Sequence, residues 1–324
     1  MPEAERQTRT RLMDLFNEHG FHPRHDLGQN FLIDLNLLEF VVAEAELTAQ
    51  DVVLEVGTGT GGMTAFLAEQ AGAVVSVEID PRVHGLACEK LAPFSNATLL
   101  LTDILATKNQ LSPQVLEVVT ERLNAIPESR LKLIANLPYS VATPVISNLV
   151  ASDLNWQRMV VTIQWELADR MRGAPGTNDY GSLAVWLQSQ CDVKIVKKLG
   201  PAAFWPRPKV DSAIVRIVPD LAKRNELGDR GFFHEFVRRL FQQRRKVVRK
   251  VLSGMYPDFD RVQLDAALLA AGVAADSRAE QLPVPELVAL SRALQVRGVE
   301  AGEPAGVTRC ADPADPSDLS DSAR

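Results

Sequence analysis

Cysteine is scarce. Three occur in 324 residues, Cys88, Cys191 and Cys310, with no C-x-x-C spacing among them. That excludes a disulfide framework and a cysteine zinc site, and it fits a reducing, cytoplasmic setting. The five histidines (His19, His22, His25, His84, His234) are scattered and form no ligand set, so no metal is expected. No apolar run reaches the ~18 residues that would cross a bilayer, so no membrane partner is expected. The first 30 residues are charged and carry no apolar leader core, so no signal peptide is expected. Aromatics make up 6% of the chain, yet 46% is hydrophobic and 23% charged, the balance of a globular protein with a full core.

The net charge of -6 argues against a nucleic-acid partner until its placement is considered. Residues 299–324 hold six acids (Glu300, Glu303, Asp312, Asp315, Asp318, Asp321) against Arg309 and Arg324, a net of -4, which leaves -2 for the other 298 residues. Local patches, not the total, steer a charged partner.

Short β-branched runs alternate with helical spacing. The runs are 51–57, 73–80, 97–104, 130–138 and 159–165, with helices expected at 5–19, 37–45, 63–70, 82–91 and 113–124. This alternation predicts an α/β fold with a mostly parallel, doubly wound sheet covered on both faces. Two further runs, 191–199 and 212–218, predict an antiparallel pair at the sheet edge. Beyond Pro219 the pattern is helical only, with amphipathic stretches at 232–252, 260–271 and 284–296. The expected division is a first domain over 1–220, a helical domain over 221–297 and a disordered acidic tail over 298–324.

The segment from Leu54 to Gly62, L-E-V-G-T-G-T-G-G, lies where a strand should end and a helix begin. Glycines there let the backbone approach a ligand, and the helix N-terminus offers free N–H groups. The Gly57-x-Gly59-x-Gly61 spacing is neither the dinucleotide fingerprint nor a P-loop, which weakens pyrophosphate and ATP readings. Alone it also fits a tight βα turn without a ligand. Glu78, at the end of the second run, can accept from ribose hydroxyls, and Asp103, at the end of the third, from an adenine amino group. Asp80 is read as a helix cap before Pro81. Three such features at consecutive strand ends point to S-adenosylmethionine (SAM).

The fourth run ends in Asn136-Leu137-Pro138-Tyr139. An exocyclic nucleobase amine is a poor nucleophile, because its lone pair is delocalised into the ring. The Asn136 side-chain oxygen and the Leu137 carbonyl, steadied by Pro138, can accept both amine hydrogens. Tyr139 can stack on a flipped base. Such a site works by positioning and electrostatics, without a strong general base.

In order along the chain, these motifs resemble the ribosomal RNA adenine N6,N6-dimethyltransferase family, and within it the bacterial small-subunit, KsgA-type branch. The resemblance rests on Leu27-Gly28-Gln29-Asn30-Phe31-Leu32, the glycine turn, Val77-Glu78-Ile79-Asp80, Asp103 and Asn136-Leu137-Pro138-Tyr139. It continues through Gln164-x-Glu166, Tyr180-Gly181-x-Leu183 and the run from Phe204 to Ser212, F-W-P-R-P-K-V-D-S. It implies a Rossmann-like class I SAM-dependent methyltransferase with a small C-terminal all-helical domain. It also implies SAM contacts from Asn30, Leu32, Gly57, Glu78, Asp103 and Asn136, and Phe204 as a second aromatic clamping the base beside Tyr139. The implied reaction is N6,N6-dimethylation of two adjacent adenines in the 3′-terminal hairpin loop of small-subunit (16S) rRNA. The implied partner is the pre-30S particle, met by a monomeric enzyme during ribosome biogenesis. The chain departs from the pattern at Pro23-Arg24-His25-Asp26, where relatives carry several bases, and at Thr58 and Thr60 inside the glycine turn.

From Phe236 to Pro257 there is no acid, while Arg238, Arg239, Arg244, Arg245, Lys246, Arg249 and Lys250 supply seven bases. A basic helix face is usually only solvated; beside an adenine-modifying site it becomes a candidate stripe for an RNA backbone. Trp156, Trp165 and Trp186 are expected in the core, and Trp205 falls in the candidate target loop. Two other functions are compatible with this fold. One is a large-subunit rRNA adenine methyltransferase of the resistance type, which the N-terminal arrangement disfavours. The other is a non-catalytic RNA-binding assembly or transcription factor, against which Glu78, Asp103 and Asn136 argue.

Overall fold

The computed structural model describes residues 9–24 and 27–300, with side chains to residue 295. Helix α1 (Arg9–Glu18), the short strand β1 (Phe31–Leu32) and helix α2 (Leu35–Glu44) come first. Strand and helix then alternate through β2 (Asp51–Val56), α3 (Gly62–Gln70), β3 (Ala73–Glu78), α4 (Pro81–Leu91) and β4 (Ala97–Leu101). A small hairpin, β5 (Leu105–Thr107) and β6 (Gln110–Leu111), precedes α5 (Pro113–Ala125), β7 (Arg130–Asn136), α6 (Ala142–Ala151) and β8 (Trp156–Gln164). Next are α7 (Trp165–Met171), α8 (Ser182–Gln188), β9 (Cys191–Leu199), β10 (Phe204–Trp205) and β11 (Ser212–Pro219). Helices α9 (Leu221–Glu226), α10 (Arg230–Phe241), α11 (Val248–Met255), α12 (Arg261–Ala270) and α13 (Val284–Glu300) follow. Among the described residues no helix is long and apolar enough to cross a membrane.

Seven strands form one sheet in the order β4-β3-β2-β7-β8-β11-β9. The first five are parallel, and β11 runs antiparallel to both β8 and β9. The doubly wound α/β expectation holds, and so does the antiparallel edge pair. The chain enters at β2, winds outward to β4, then crosses back to β7. The switch point therefore lies between β2 and β7, where a crevice opens beyond the strand ends.

β2 and β3 read as continuous apolar runs because both of their faces are covered. Val52, Leu54 and Val56 enter a core shared with α5 and α6, while Val53 enters the core under α2, α3 and α4. The first of these cores continues into the C-terminal helices: Trp186 of α8 packs near Phe233 of α10, and Leu252, Leu264 and Leu287 belong to the same cluster.

The single helix expected over 232–252 is two helices, with a turn at 242–247. Tertiary hydrogen bonds break it. The Arg244 guanidinium donates to the carbonyls of Asn178 (3.1 Å) and Tyr180 (2.9 Å), and the Val248 N–H donates to Ser277 O (2.8 Å). The acidic tail expected from residue 298 lies outside the described residues from 301 onward. Trp156 and Trp186 are buried, whereas Trp165 is half-buried beneath Lys198, whose Nζ sits 4.6 Å from the ring centre.

At the end of the sheet remote from the crevice, Asp51 is fully buried and pairs with Lys132 at 2.9 Å. Lys132 also donates to the carbonyls of Ala45 (3.0 Å) and Glu46 (2.6 Å), at the C-terminal end of α2. Removing one partner of such a pair strands the other charge out of water. Asp51→Ala should lower stability by about 3 kcal/mol, read as a lower urea midpoint with an unchanged slope; a midpoint equal to wild type would contradict it.

Candidate active site

A cavity of about 240 Å³ opens at the switch point. Its walls are the ends of β2, β3 and β7 and the turn after β4, and residues 27–31 cross over it as a roof. Gly57 and Gly59 adopt left-handed backbone conformations, with φ of 85° and 55°. Side chains there would be strained and crowded: a Cβ on Gly57 would lie 3.3 Å from Pro138, and one on Gly59 3.1 Å from the Phe31 ring. The turn thus keeps its backbone close to both the roof and the Asn136–Tyr139 turn.

The roof is tied down from three sides. Gln29 donates to Asp80 Oδ2 (2.9 Å), and its Oε1 accepts from Arg24 N–H (2.7 Å). Asp80 is the N-cap of α4, accepting from Arg82 N–H at 3.0 Å, as read from the sequence. Phe31 and Leu32 pair antiparallel with Trp205 and Phe204, and Ile33 N–H donates to Ala203 O (2.9 Å). Phe16 packs against both Phe31 and Trp205, each ring centroid 5.3 Å away. Of the departing segment 23–26, His25 and Asp26 lie outside the described residues.

Glu78 is nearly sealed, and its carboxylate is held by backbone. Oε2 accepts from Gly59 N–H and Oε1 from the N–H groups of Ile79 and Asp80, all at 3.0 Å. Burial pushes its pKa above the usual carboxylate value, while these bonds pull it down. A carboxylate has roughly four acceptor sites, so room remains for about one further donor. Asp103 is exposed at the cavity edge and accepts from Leu105 N–H through Oδ1 (2.9 Å), leaving Oδ2 as an acceptor.

Asn136 Nδ2 donates to the Asn30 carbonyl at 2.7 Å. A carbonyl cannot accept from an amide oxygen, so the orientation of the amide is settled and Oδ1 is the atom left to accept. Leu137 N–H donates to Thr162 O (3.1 Å), which locks the turn to β8. Tyr139 lines the cavity, and its hydroxyl shares a hydrogen bond with Ser212 Oγ at 2.7 Å.

Asn30, Gly57, Glu78, Asp103 and the four residues Asn136–Tyr139 all line this cavity. Leu32 lines instead a smaller neighbouring cavity of about 60 Å³ beneath the glycine turn. Phe204 reaches neither. It is 1% exposed, its side chain packed in the core under α2 and α3 because β10 pairs with β1. In this structure Phe204 supports the roof and presents no face to the cavity. Of the seven bases, Arg238, Arg245, Lys246 and Lys250 are exposed, but they no longer share one helix face. Arg239 donates to Met255 O (3.1 Å), Arg244 is taken up as described, and Arg249 approaches Asp265 (3.4 Å). Spacing along the chain assigns no role to Gln29, to Asp80 as its latch partner or to Ile79, which is 47% exposed in the cavity wall. An apolar residue beside Glu78 and the amide of Gln29 beside Asn30 were the available signals.

Glu55, two residues before Gly57, is fully buried. Its Oε2 accepts from Thr64 Oγ1 and Ser76 Oγ, both at 2.6 Å, and Thr58 Oγ1 shares a 2.6 Å bond with Ser76. Thr58 thus joins the glycine turn to a buried network. Burial pushes the Glu55 carboxyl up to about 8, so it is neutral at pH 7.

A family model described as "Ribosomal RNA adenine dimethylase" matches residues 20–295. The protein named ribosomal RNA small subunit methyltransferase A of Bacillus mycoides (strain KBAB4) is 37% identical over 289 residues, covering 89% of this chain and 96% of that one. The protein of the same name from Bacillus cereus (strain AH187) gives the same figures. Among solved structures, a dimethyladenosine transferase from Plasmodium falciparum superposes with a TM-score of 0.64 at 20% identity, covering 83% of this chain and 97% of that one. The 23S rRNA methyltransferase ErmE superposes with a TM-score of 0.57 at 25% identity, covering 82% and 99%.

The Glu55 network sets a pH dependence. The folded protein holds a proton that the unfolded chain loses near 4.5, so stability falls as pH rises from about 4.5 to about 8 and levels off above. Glu55→Gln removes that dependence. Its melting temperature should gain on wild type across this window, and parallel melting curves from pH 5 to pH 9 would refute the protonated state.

Proposed function

Since the chain belongs to the ribosomal RNA adenine dimethylase family, we propose that it dimethylates N6 of two adjacent adenines in the 3′-terminal hairpin loop of small-subunit rRNA, using SAM. We further propose the pre-30S particle as the form it meets, a monomer as the acting species, and the cytoplasm as the place.

The observation that carries this reading is the fixed Asn136 amide. Its Nδ2 is consumed by the Asn30 carbonyl, so Oδ1 is an acceptor and can take one N6 hydrogen of adenine. The Leu137 carbonyl, whose direction is set by Pro138, takes the other. With both hydrogens held, the amine is turned toward a tetrahedral nitrogen and its lone pair is drawn out of conjugation. The Tyr139 ring offers a stacking face at the cavity wall. No side chain here is a strong base, and none is required: methylated N6 is cationic and its proton leaves to water.

SAM fits the residues present. The left-handed glycine turn leaves a cradle that a Cβ would fill, Ile79 gives an apolar wall for a purine, Asp103 Oδ2 would accept from its amino group, and Glu78 has room for a ribose hydroxyl. Asn30, Leu32, Gly57 and Asn136 complete the proposed contacts. When bound, SAM supplies an electrophilic methyl group on a sulfonium. The exposed Arg238, Arg245, Lys246 and Lys250, with Arg239, Arg244 and Arg249 behind them, are proposed to meet RNA phosphates.

The deciding assay uses labelled SAM and undermethylated 30S particles, with the label mapped by primer extension. Label on the small-subunit adenines supports the reading. Label on large-subunit rRNA, or none, overturns it. Asn136→Ala should cut turnover by about a hundredfold while RNA affinity stays near wild type; equal losses in both would make the residue structural. Glu78→Ala removes a charge-assisted hydrogen bond worth about 1.5–3 kcal/mol and should weaken SAM roughly 10- to 150-fold by calorimetry; unaltered affinity would contradict the ribose role.

A further inference from the structure

We propose that Ser212 is a positioning residue for this reaction: its hydroxyl holds the phenol of Tyr139 and so sets the ring against which the target adenine stacks. The inference rests on the methyl-transfer reading and adds a residue outside the cavity to it.

Tyr139 stands in a turn whose next residue, Ser140, is exposed, and the ring is only half-buried. A tyrosine so placed can swing about its side-chain bonds and satisfy its hydroxyl with water. Here the hydroxyl instead reaches Ser212 Oγ at 2.7 Å, across 73 residues of sequence. The ring is therefore held at both ends, by the Leu137–Pro138 backbone and by its phenol.

The far anchor is rigid. Ser212 is fully buried at the first position of β11, paired with Gln164 of β8 on one side and Leu199 of β9 on the other. The preceding residue is pinned as well. Trp165 N–H donates to Asp211 O at 2.9 Å, and Lys198 Nζ pairs with the Asp211 carboxylate at 2.9 Å while lying over the Trp165 ring. The serine thus sits in a strand paired on both sides, and the only polar handle of the stacking ring is bonded to it. A site that works by orientation loses rate when its stacking surface is loose. Among the flanking residues of β11, Ala213, Ile214 and Val215 are apolar and buried, so packing alone asks for no hydroxyl at 212.

The test is a double-mutant cycle on the single-turnover rate of methyl transfer to undermethylated 30S particles. Ser212→Ala should slow transfer roughly three- to tenfold, with SAM affinity by calorimetry and melting temperature close to wild type. Tyr139→Phe, which deletes the same hydrogen bond from the open side, should show the same loss. The double variant should be no slower than either, and Ser212→Thr, which keeps the hydroxyl, should recover most of the rate. Losses that multiply in the double variant, or a wild-type rate in Tyr139→Phe, overturn the proposal. Should Ser212→Ala fail to fold, the Tyr139→Phe rate alone decides it in the same sense. Wild-type protein run alongside separates the two levels of inference. No transfer by wild type sinks the activity and Ser212 with it; transfer by wild type with multiplying losses sinks Ser212 alone.

Discussion

An amide side chain is ambiguous until something decides which end donates. At Asn136 the carbonyl of Asn30 decides it, through a 2.7 Å hydrogen bond that joins two residues 106 apart in sequence. The rest of the site depends on that bond. It turns the amide oxygen into an acceptor beside the Leu137 carbonyl, and it makes the roof segment part of the chemistry rather than a cover. The Gln29–Asp80 latch and the β1–β10 pairing serve the same end, because a roof that drifts would let the amide turn. Preorganised acceptors need no rearrangement when the reaction occurs, which is where such sites gain their rate.

The sheet supplies the place. Winding outward from β2 and back to β7 opens a gap beyond the strand ends, with the glycine turn on one side and the Asn136–Tyr139 turn on the other. Two glutamates near this gap are held by different partners. Glu55 is sealed among hydroxyls and kept neutral, so it braces the turn without carrying charge to the ligand. Glu78, wrapped by three backbone N–H groups, keeps its lone pairs directed and has room for about one more donor.

Much of this was legible beforehand, for local reasons. The alternating runs gave the doubly wound sheet, since period and punctuation are local properties. Asp80 caps α4, and Asp before Pro is itself a local signal. The residues of the glycine turn, Glu78, Asp103 and Asn136–Tyr139 follow from strand ends, and strand ends can be placed within a residue or two. The rest is nonlocal. Residues 232–252 have the spacing of one helix, yet Arg244 bonds the carbonyls of Asn178 and Tyr180, just before α8, and the backbone turns at 242–247. Phe204 sits in a motif beside a target loop, yet two residues of strand pairing turn it into the core.

The amino-acid sequence by itself determined the seven strands of the main sheet, the helices between the first four of them and the residue types gathered at four strand ends, because these follow from periodicity, turn chemistry and spacing along the chain. Tertiary structure alone decided which way the Asn136 amide points, that Gln29 latches onto Asp80, that Phe204 faces inward, and that Ser212 holds Tyr139. Each of these is a hydrogen bond or a contact between segments tens of residues apart, and its geometry exists only once the sheet has brought those segments together.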